Sequence, residues 1–160
     1  MPISFVRIDD RVIHGQIIAR WTRWKDCHGI LVIDDQIAED PMQKKIFSNA
    51  VPKSIKVGIY SLEEGVEKIN KAKNAQNSYF VIVKSPIMLK KLKEKGADFG
   101  EEVNVGPISA REGAENIGRN VAITPDERVA FDYLLNEGVG ISFQLVPEES
   151  AYTWEKIRNQ

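Results

Sequence analysis

The sequence predicts an α/β fold: a doubly wound, mostly parallel open sheet with helices on both faces. Short, β-branched apolar runs alternate with amphipathic segments along the chain. The first four runs are apolar almost throughout, the pattern of strands buried on both faces. Such alternation implies right-handed crossovers between parallel strands. A chain of 160 residues suits one domain, spanning residues 1–160, with a core of its own.

The first strand is read over Ile3 to Ile8. A helix follows from Gln16 to Lys25, with Ile17, Trp21 and Trp24 on one stripe. Gly29 to Ile33 is the second strand. Asp40 then caps a helix over Pro41 to Val51, with proline in the first turn, where its missing N–H costs nothing. Ile55 to Tyr60 is the third strand. Ser61 caps a helix from Leu62 to Ala75, on which Leu62, Val66 and Ile69 recur at helical spacing. Tyr79 to Val83 is the fourth strand. Ser85 caps a helix from Pro86 to Lys95, and Gly96 stands just past its end. Val103 to Val105 reads as the fifth strand.

Beyond it the rhythm breaks. The segment Gly106 to Asn120 has a short helical signal interrupted by Gly113 and Gly118. Two further strands are read at Val121 to Ile123 and Gly140 to Val146, with room for one antiparallel strand. Between them a helix over Asp126 to Asn136 carries Val129 and Tyr133 and stops at Gly138. A short last helix is read within Glu148 to Arg158.

Composition excludes several function classes. The formal net charge is −1 and Lys/Arg are spread over the whole length, which argues against nucleic acid as a partner. Cys27 is the only cysteine, so no intramolecular disulfide can form, and a reducing compartment is favoured. No apolar run approaches the roughly 18–20 residues needed to span a bilayer. The start, Met-Pro-Ile-Ser-Phe, lacks the basic and apolar regions of a signal peptide. The expectation is a cytoplasmic protein, able to work at a membrane by docking to another protein.

In open α/β sheets ligands sit outside the carboxyl ends of the strands. The residues expected there are Asp9 to Gly15, Asp34-Asp35, Tyr60-Ser61, Lys84-Ser85 and Gly106-Pro107. Of these, His14 carries the most chemistry. It stands in a strand-to-helix turn among Arg7, Asp9, Asp10 and Arg11. A neutral imidazole is a competent nucleophile near pH 7, and attack on phosphorus would make a phosphoramidate. Arg11 can offer a planar fork of donors to phosphate oxygens. Gly15 lets backbone N–H groups approach an anion at the helix start. Carboxylates repel phosphate, so Asp9 and Asp10 cannot both face it; one of them, Asp10 among the candidates, can orient His14 or Arg11. Ser85 is first a helix cap and second a phosphate contact. The plainer reading of His14, a capping loop histidine, stays open at this point.

Other features carry less. Asp34-Asp35 reads as a turn and cap. Cys27-His28 has no second Cys/His pair and makes no zinc site. Lys90-Lys91-Leu92-Lys93 is a solvated helix face. No Walker-type loop or GxGxxG fingerprint is present, which lowers nucleotide binding. Trp21 and Trp24 serve the core or a subunit contact, a homodimer included. Tyr152 and Trp154 pack the C-terminal tail onto the body or a partner.

The run Arg7-Ile8-Asp9-Asp10-Arg11-Val12-Ile13-His14-Gly15-Gln16-Ile17 resembles the phosphorylation-site motif of the enzyme II B component of the bacterial phosphotransferase system, mannose/fructose/sorbose class. The resemblance continues through Val32 to Asp40, Val83-Lys84-Ser85-Pro86, Val103-Asn104-Val105-Gly106 and Gly138-Val139 to Pro147, and covers nearly the whole chain. It implies a parallel-rich α/β sheet. It also implies that a phosphohistidine on the A component passes its phosphoryl group to His14, which passes it to a sugar held by the membrane C and D components. Arg11 matches the arginine that steadies the phosphoryl group. No cofactor or metal is implied. Relatives tend to carry a Gly-Gly-Met-like turn where this chain has Gly106-Pro107-Ile108.

Two alternatives stand beside this. A receiver-type signalling domain would use the acidic pair after the first strand for Mg²⁺ and aspartyl phosphorylation. It would also need an Asp after the third strand and a Lys after the fifth, where this chain has Tyr60-Ser61 and Gly106-Pro107. A non-catalytic regulatory module of the same fold would accept no phosphoryl group.

Overall fold

The computed structural model describes residues 2–159. Its main sheet holds β1 (Ile3–Ile8), β2 (Gly29–Ile33), β3 (Lys56–Tyr60), β4 (Tyr79–Val83), β5 (Glu102–Val105), β8 (Gly140–Phe143) and β9 (Tyr152–Thr153), in the order β3-β2-β4-β1-β5-β8-β9. All pairings from β3 to β8 are parallel, and β9 adds an antiparallel edge. The helices are α1 (Gly15–Trp21), α2 (Asp35–Ala38), α3 (Pro41–Asn49), α4 (Leu62–Lys73), α5 (Pro86–Glu94), α6 (Pro125–Asn136) and α7 (Trp154–Arg158). This is the mostly parallel sheet with a late antiparallel strand that the sequence predicts.

Side chains alternate across each strand, so an all-apolar strand feeds two cores. Val6, Ile8, Leu31, Ile33, Val81 and Val83 enter one layer, with Ile69 of α4, Leu89 and Leu92 of α5 and Phe131 and Leu134 of α6. Their strand neighbours Phe5, Ile30, Val32, Phe80 and Ile82 enter the other, with Ile18 and Trp21 of α1 and Ile37 of α2. The Trp21 ring stacks on Phe5 at 4.6 Å between centroids. Trp21 is therefore core, whereas Trp24 is 63% exposed.

The helix starts follow the cap residues. Asp40 accepts from the N–H groups of Met42 and Gln43. Ser61 with Glu64, and Thr124 with Glu127, close capping boxes in which each side chain satisfies the other residue's backbone N–H.

The departures lie where elements are short. α1 ends at Trp21 rather than Lys25, and turns follow it. α2 has four residues, too few to show a period. Val121 to Ile123 is a strand, β7, but it stands outside the main sheet. It pairs antiparallel with β6 (Glu115–Gly118) in a two-stranded ribbon. The place beside β5 is taken by β8 through four residue pairs from Glu102–Gly140 to Val105–Phe143. β8 ends at Phe143 because the Gln144 side chain bonds the carbonyls of Pro147 and Glu149 and turns the chain. The predicted last helix resolves into β9 and the five-residue α7. There Trp154 is fully buried against Phe131 and donates its indole N–H to Asp132 at 2.8 Å.

Gly65 shows how closely α4 lies on the sheet. A Cβ there would come within 2.7 Å of Cγ2 of Ile33, which is wholly buried. Alanine favours a helix interior over glycine by about 1 kcal/mol, but overpacking a tight core costs roughly 1–3 kcal/mol. Gly65→Ala should therefore lower stability by about 1 kcal/mol in urea unfolding. A raised midpoint would show that α4 can move outward freely.

Candidate functional site

Because β1 to β5 and β8 run parallel, the loops after them leave from one rim. β1 lies between β4 and β5, so residues 9–14 emerge at the middle of that rim. The loop begins by extending the ladders on both sides. The Asp9 N–H donates to the carbonyl of Val83 (2.9 Å), and the Asp10 N–H to that of Pro107 (3.1 Å). Pro107 serves here through its carbonyl, a contact that needs no N–H from that position.

The chain then turns sharply. The Val12 N–H donates to the Asp9 carbonyl at 3.0 Å, and Val12 has φ +66°. A β-branched residue in the left-handed region is strained by about 1–2 kcal/mol. Burial offsets it: Val12 is 2% exposed and Ile13 5%, both in the apolar layer with Phe5 and Ile30. These two residues pin the loop down, while Arg11 and His14 on either side of them are exposed.

His14 has extended backbone angles and is the N-cap residue of α1. Its carbonyl accepts from the Ile18 N–H at 2.9 Å, but its imidazole makes no capping bond. Capping therefore leaves the ring free for chemistry. At Gly15 a Cβ would stand 3.0 Å from the carbonyl oxygen of Ala50, the C-cap of α3. The start of α1 thus abuts the end of α3.

Beneath the loop lies a buried charge network. The Asp9 side chain is 4% exposed and that of Arg7 1%. Asp9 Oδ2 accepts from Arg7 Nε at 3.4 Å, and Oδ1 accepts from the Arg11 backbone N–H at 3.0 Å and from Arg11 Nε at 3.3 Å. Arg7 also donates to Asn104 Oδ1 and to the carbonyls of Gln144 (3.1 Å) and Leu145 (3.0 Å), and it lies 5.1 Å from the centre of the Trp21 ring. Burial pulls the Arg7 guanidinium down to about 10, with Asp9 pulling the other way, so Arg7 stays charged near neutral pH. Two guanidinium groups share the Asp9 carboxylate, and Asp10 brings residues 7–11 to a formal charge of zero. Arg11, 42% exposed, is the cation of this network that reaches solvent. The guanidinium of Arg7 occupies the space that a side chain at Gly106 would fill.

The other predicted residues fall around this centre. Asp10 Oδ2 accepts from the Ser109 N–H at 2.7 Å, and Oδ1 is buried without a hydrogen-bond partner. The Ser85 hydroxyl accepts from the Ile87 N–H at the start of α5 and donates to Glu127 Oε2 at 3.0 Å. Asp34 caps α2, and Asp35 accepts from the Leu62 N–H at the start of α4. His28 precedes β2 and so lies at the opposite end of the strands from His14. Among the described residues no group of three or more His, Cys, Asp or Glu is placed to hold a metal ion. No helix among them is long and apolar enough to cross a membrane.

Sequence reasoning left Arg7 without a role and passed over Asn104 and Gln144. A signal was present for the first. A charge inside a strand predicted to be buried on both faces must have a partner, and Asp9, two residues on, lies on the same strand face.

The family model described as PTS system sorbose subfamily IIB component matches residues 3–160. The chain belongs to this family. This IIB component is 30% identical over 158 residues to the N-acetylgalactosamine-specific phosphotransferase enzyme IIB component 2 of Escherichia coli K12, covering 98% of this chain and 99% of the relative. It is 27% identical over 146 residues to the mannose-specific EIIAB component of the same organism, covering 91% of this chain and 45% of that longer protein. In fold it matches the IIBSor domain of the sorbose permease from Klebsiella pneumoniae with a TM-score of 0.92 at 24% identity, over 99% of this chain and 97% of that one.

The Arg7–Asp9 pair makes a clear demand on stability. Removing one partner of a buried ion pair leaves the other uncompensated, at a cost of roughly 3–5 kcal/mol. Asp9→Asn in this IIB component should lose about 3 kcal/mol in denaturant unfolding. An unchanged midpoint would show that Arg7 is held by its carbonyl acceptors alone.

Proposed function

We propose that this IIB component carries a phosphoryl group on His14, taken from a phosphohistidine on an A component and passed to a sugar held by membrane C and D components. The observation that carries the reading is the exposed, uncapped imidazole of His14 in the same tight loop as Arg11, whose backbone and side chain are both held by Asp9. Family membership supports the phosphotransferase role. The name of the mannose-specific EIIAB relative, in which A and B stand together, supports the A component as donor.

In the first step a neutral His14 nitrogen attacks phosphorus. The new N–P bond forms as the donor's N–P bond breaks, and the donor imidazole leaves with the electron pair. In the second step a sugar hydroxyl attacks: its O–P bond forms as the His14 N–P bond breaks, the His14 nitrogen leaves with the electron pair, and the hydroxyl proton ends on the departing imidazole. Charge on the three equatorial oxygens is met by Arg11 and by backbone N–H groups at Gly15, so catalysis rests on positioning and charge stabilisation. Asp10 orients the loop through Ser109 and Pro107, and Ser85 enters as the anchor of Glu127. The Asp9 carboxylate, buried between two guanidinium groups, is a poor nucleophile, which counts against aspartyl phosphorylation. The chain itself need recognise only the phosphoryl group and its two partners. That agrees with relatives named for different sugars sharing its fold. The protein then works in the cytoplasm at the face of a membrane transporter.

Incubation with a phosphorylated A component should label the wild-type protein and leave His14→Ala unlabelled. The label should be lost in acid and kept in base, as for a phosphoramidate; label that survives on the alanine variant, or is lost in base, would sink the assignment. Arg11→Ala should slow transfer by about a hundredfold, the scale of one lost transition-state donor. Transfer at the wild-type rate would remove Arg11 from the mechanism.

A further inference from the structure

Glu127 is a buried charge that the phosphoryl-transfer reading does not use. It is 3% exposed and lies in the first turn of α6. One oxygen accepts from the Thr124 N–H in the capping box and from Arg111, and the other accepts from the Ser85 hydroxyl at the end of β4. Arg111 in turn donates Nη1 to the carbonyls of Ser109 (2.9 Å) and Ala122 (3.2 Å). The N–H of that same Ser109 holds Asp10 Oδ2, and the Pro107 carbonyl holds the Asp10 N–H. A continuous line of contacts thus runs from Ser85 and Glu127 through Arg111 and Ser109 to Asp10. There it meets Asp9, the residue that fixes Arg11.

We propose that the Arg111–Glu127 pair is a brace that positions the His14 loop from outside it, making Arg111 a positioning residue for phosphoryl transfer. The proposal rests on the carrier reading for its effect on rate, but the brace itself is a structural statement. An exposed ion pair would be too weak for this role. Here the Glu127 side chain is 4% exposed and that of Arg111 39%, so the pair is half-buried: without Arg111 the carboxylate keeps its Ser85 and Thr124 donors but loses a cation at a largely desolvated position, which favours the closed pair. The fold does not depend on the brace. Ile108 is buried, is bridged to Val121, and exchanges backbone bonds with Asn120 and Ala122. By contrast residues 109–113 are all exposed, and this stretch is tied to the body by the Ser109 N–H on Asp10 and by the Arg111 side chain on Ala122 and Glu127. Losing the guanidinium should therefore loosen Ser109, and with it the clasp on Asp10, while the core stays intact.

The experiment compares wild type, Arg111→Ala, Arg111→Lys and Glu127→Gln, each shown folded by circular dichroism at the assay temperature. Two readouts are taken: phosphoryl acceptance from a phosphorylated A component, and backbone amide exchange. Arg111→Ala should lower the maximal rate about tenfold at an unchanged half-saturating donor concentration, since small misplacements of reacting groups act on rate. Arg111→Lys should recover part of the rate, keeping the charge but not the fork. Glu127→Gln keeps an N3 residue able to close the capping box and should still shift rate in the direction of Arg111→Ala. Exchange should quicken at residues 9–14 and 109–113 in Arg111→Ala and not in the sheet. A raised half-saturating concentration with an unchanged maximal rate would make Arg111 a docking contact and overturn the proposal. Unchanged rate and exchange in a wild type that accepts label would also overturn it, leaving the carrier reading intact. If the wild type accepts no label but exchange at residues 9–14 still responds to Arg111→Ala, the brace stands and the carrier reading falls.

Discussion

Asp9 shares one carboxylate between two guanidinium groups, and the rim of the sheet is organised around it. Its partner below, Arg7, is wholly buried and reaches across β5 to the chain leaving β8 through Asn104, Gln144 and Leu145. Its partner above, Arg11, is half in solvent. Replacing a buried ion pair by apolar residues is often neutral or stabilising, so the pair is not explained by stability alone. What it fixes is geometry. One acid ties the middle strand, the carboxyl ends of its neighbours and the exposed cation into a single unit, and Gly106 is required because Arg7 fills the space beside it.

The loop built on that unit is tight. Asp9 and Asp10 extend the hydrogen-bond ladders to opposite sides, Val12 takes a left-handed conformation, and two buried aliphatic residues hold the kink closed. Exposed polar residues alternate around buried apolar ones within four positions, so Arg11 and His14 are presented by the same strain that buries Val12 and Ile13. Three neighbours contact the loop: the end of β4 at Asp9, the 107–109 segment at Asp10 and the end of α3 beside Gly15. Contacts on three sides suit the proposed carrier role, in which rate depends on positioning.

Much of this was legible in the sequence. The strands from β1 to β5 follow from their apolar runs, and the helix starts from Asp40, Ser61, Ser85 and the residues after them. His14 and Arg11 stand out because two charged or titratable groups share a strand-to-helix turn. The later half was less legible. Short strands carry little periodic signal; β9 takes the edge that β8 leaves, and β6 and β7 pair with each other outside the main sheet. Ser85 illustrates the limit at a single residue. A serine before Pro86 announces a cap, but its second bond, to Glu127, joins positions 42 residues apart.

By itself, then, the chain determined the parallel α/β architecture, the central position of the first loop and the presence in it of Arg11 and His14, on which the proposed phosphoryl transfer rests. These depend on local pattern: periodicity, caps and spacing within about ten residues. Only the tertiary structure decided that Arg7 is the buried counterpart of Asp9, that the Asp10 carboxylate is spent on Ser109 rather than on His14, and that Glu127 and Arg111 stand behind the loop. Those depend on contacts between residues far apart in sequence, where a charge's partner is chosen by the packing that removes both from water.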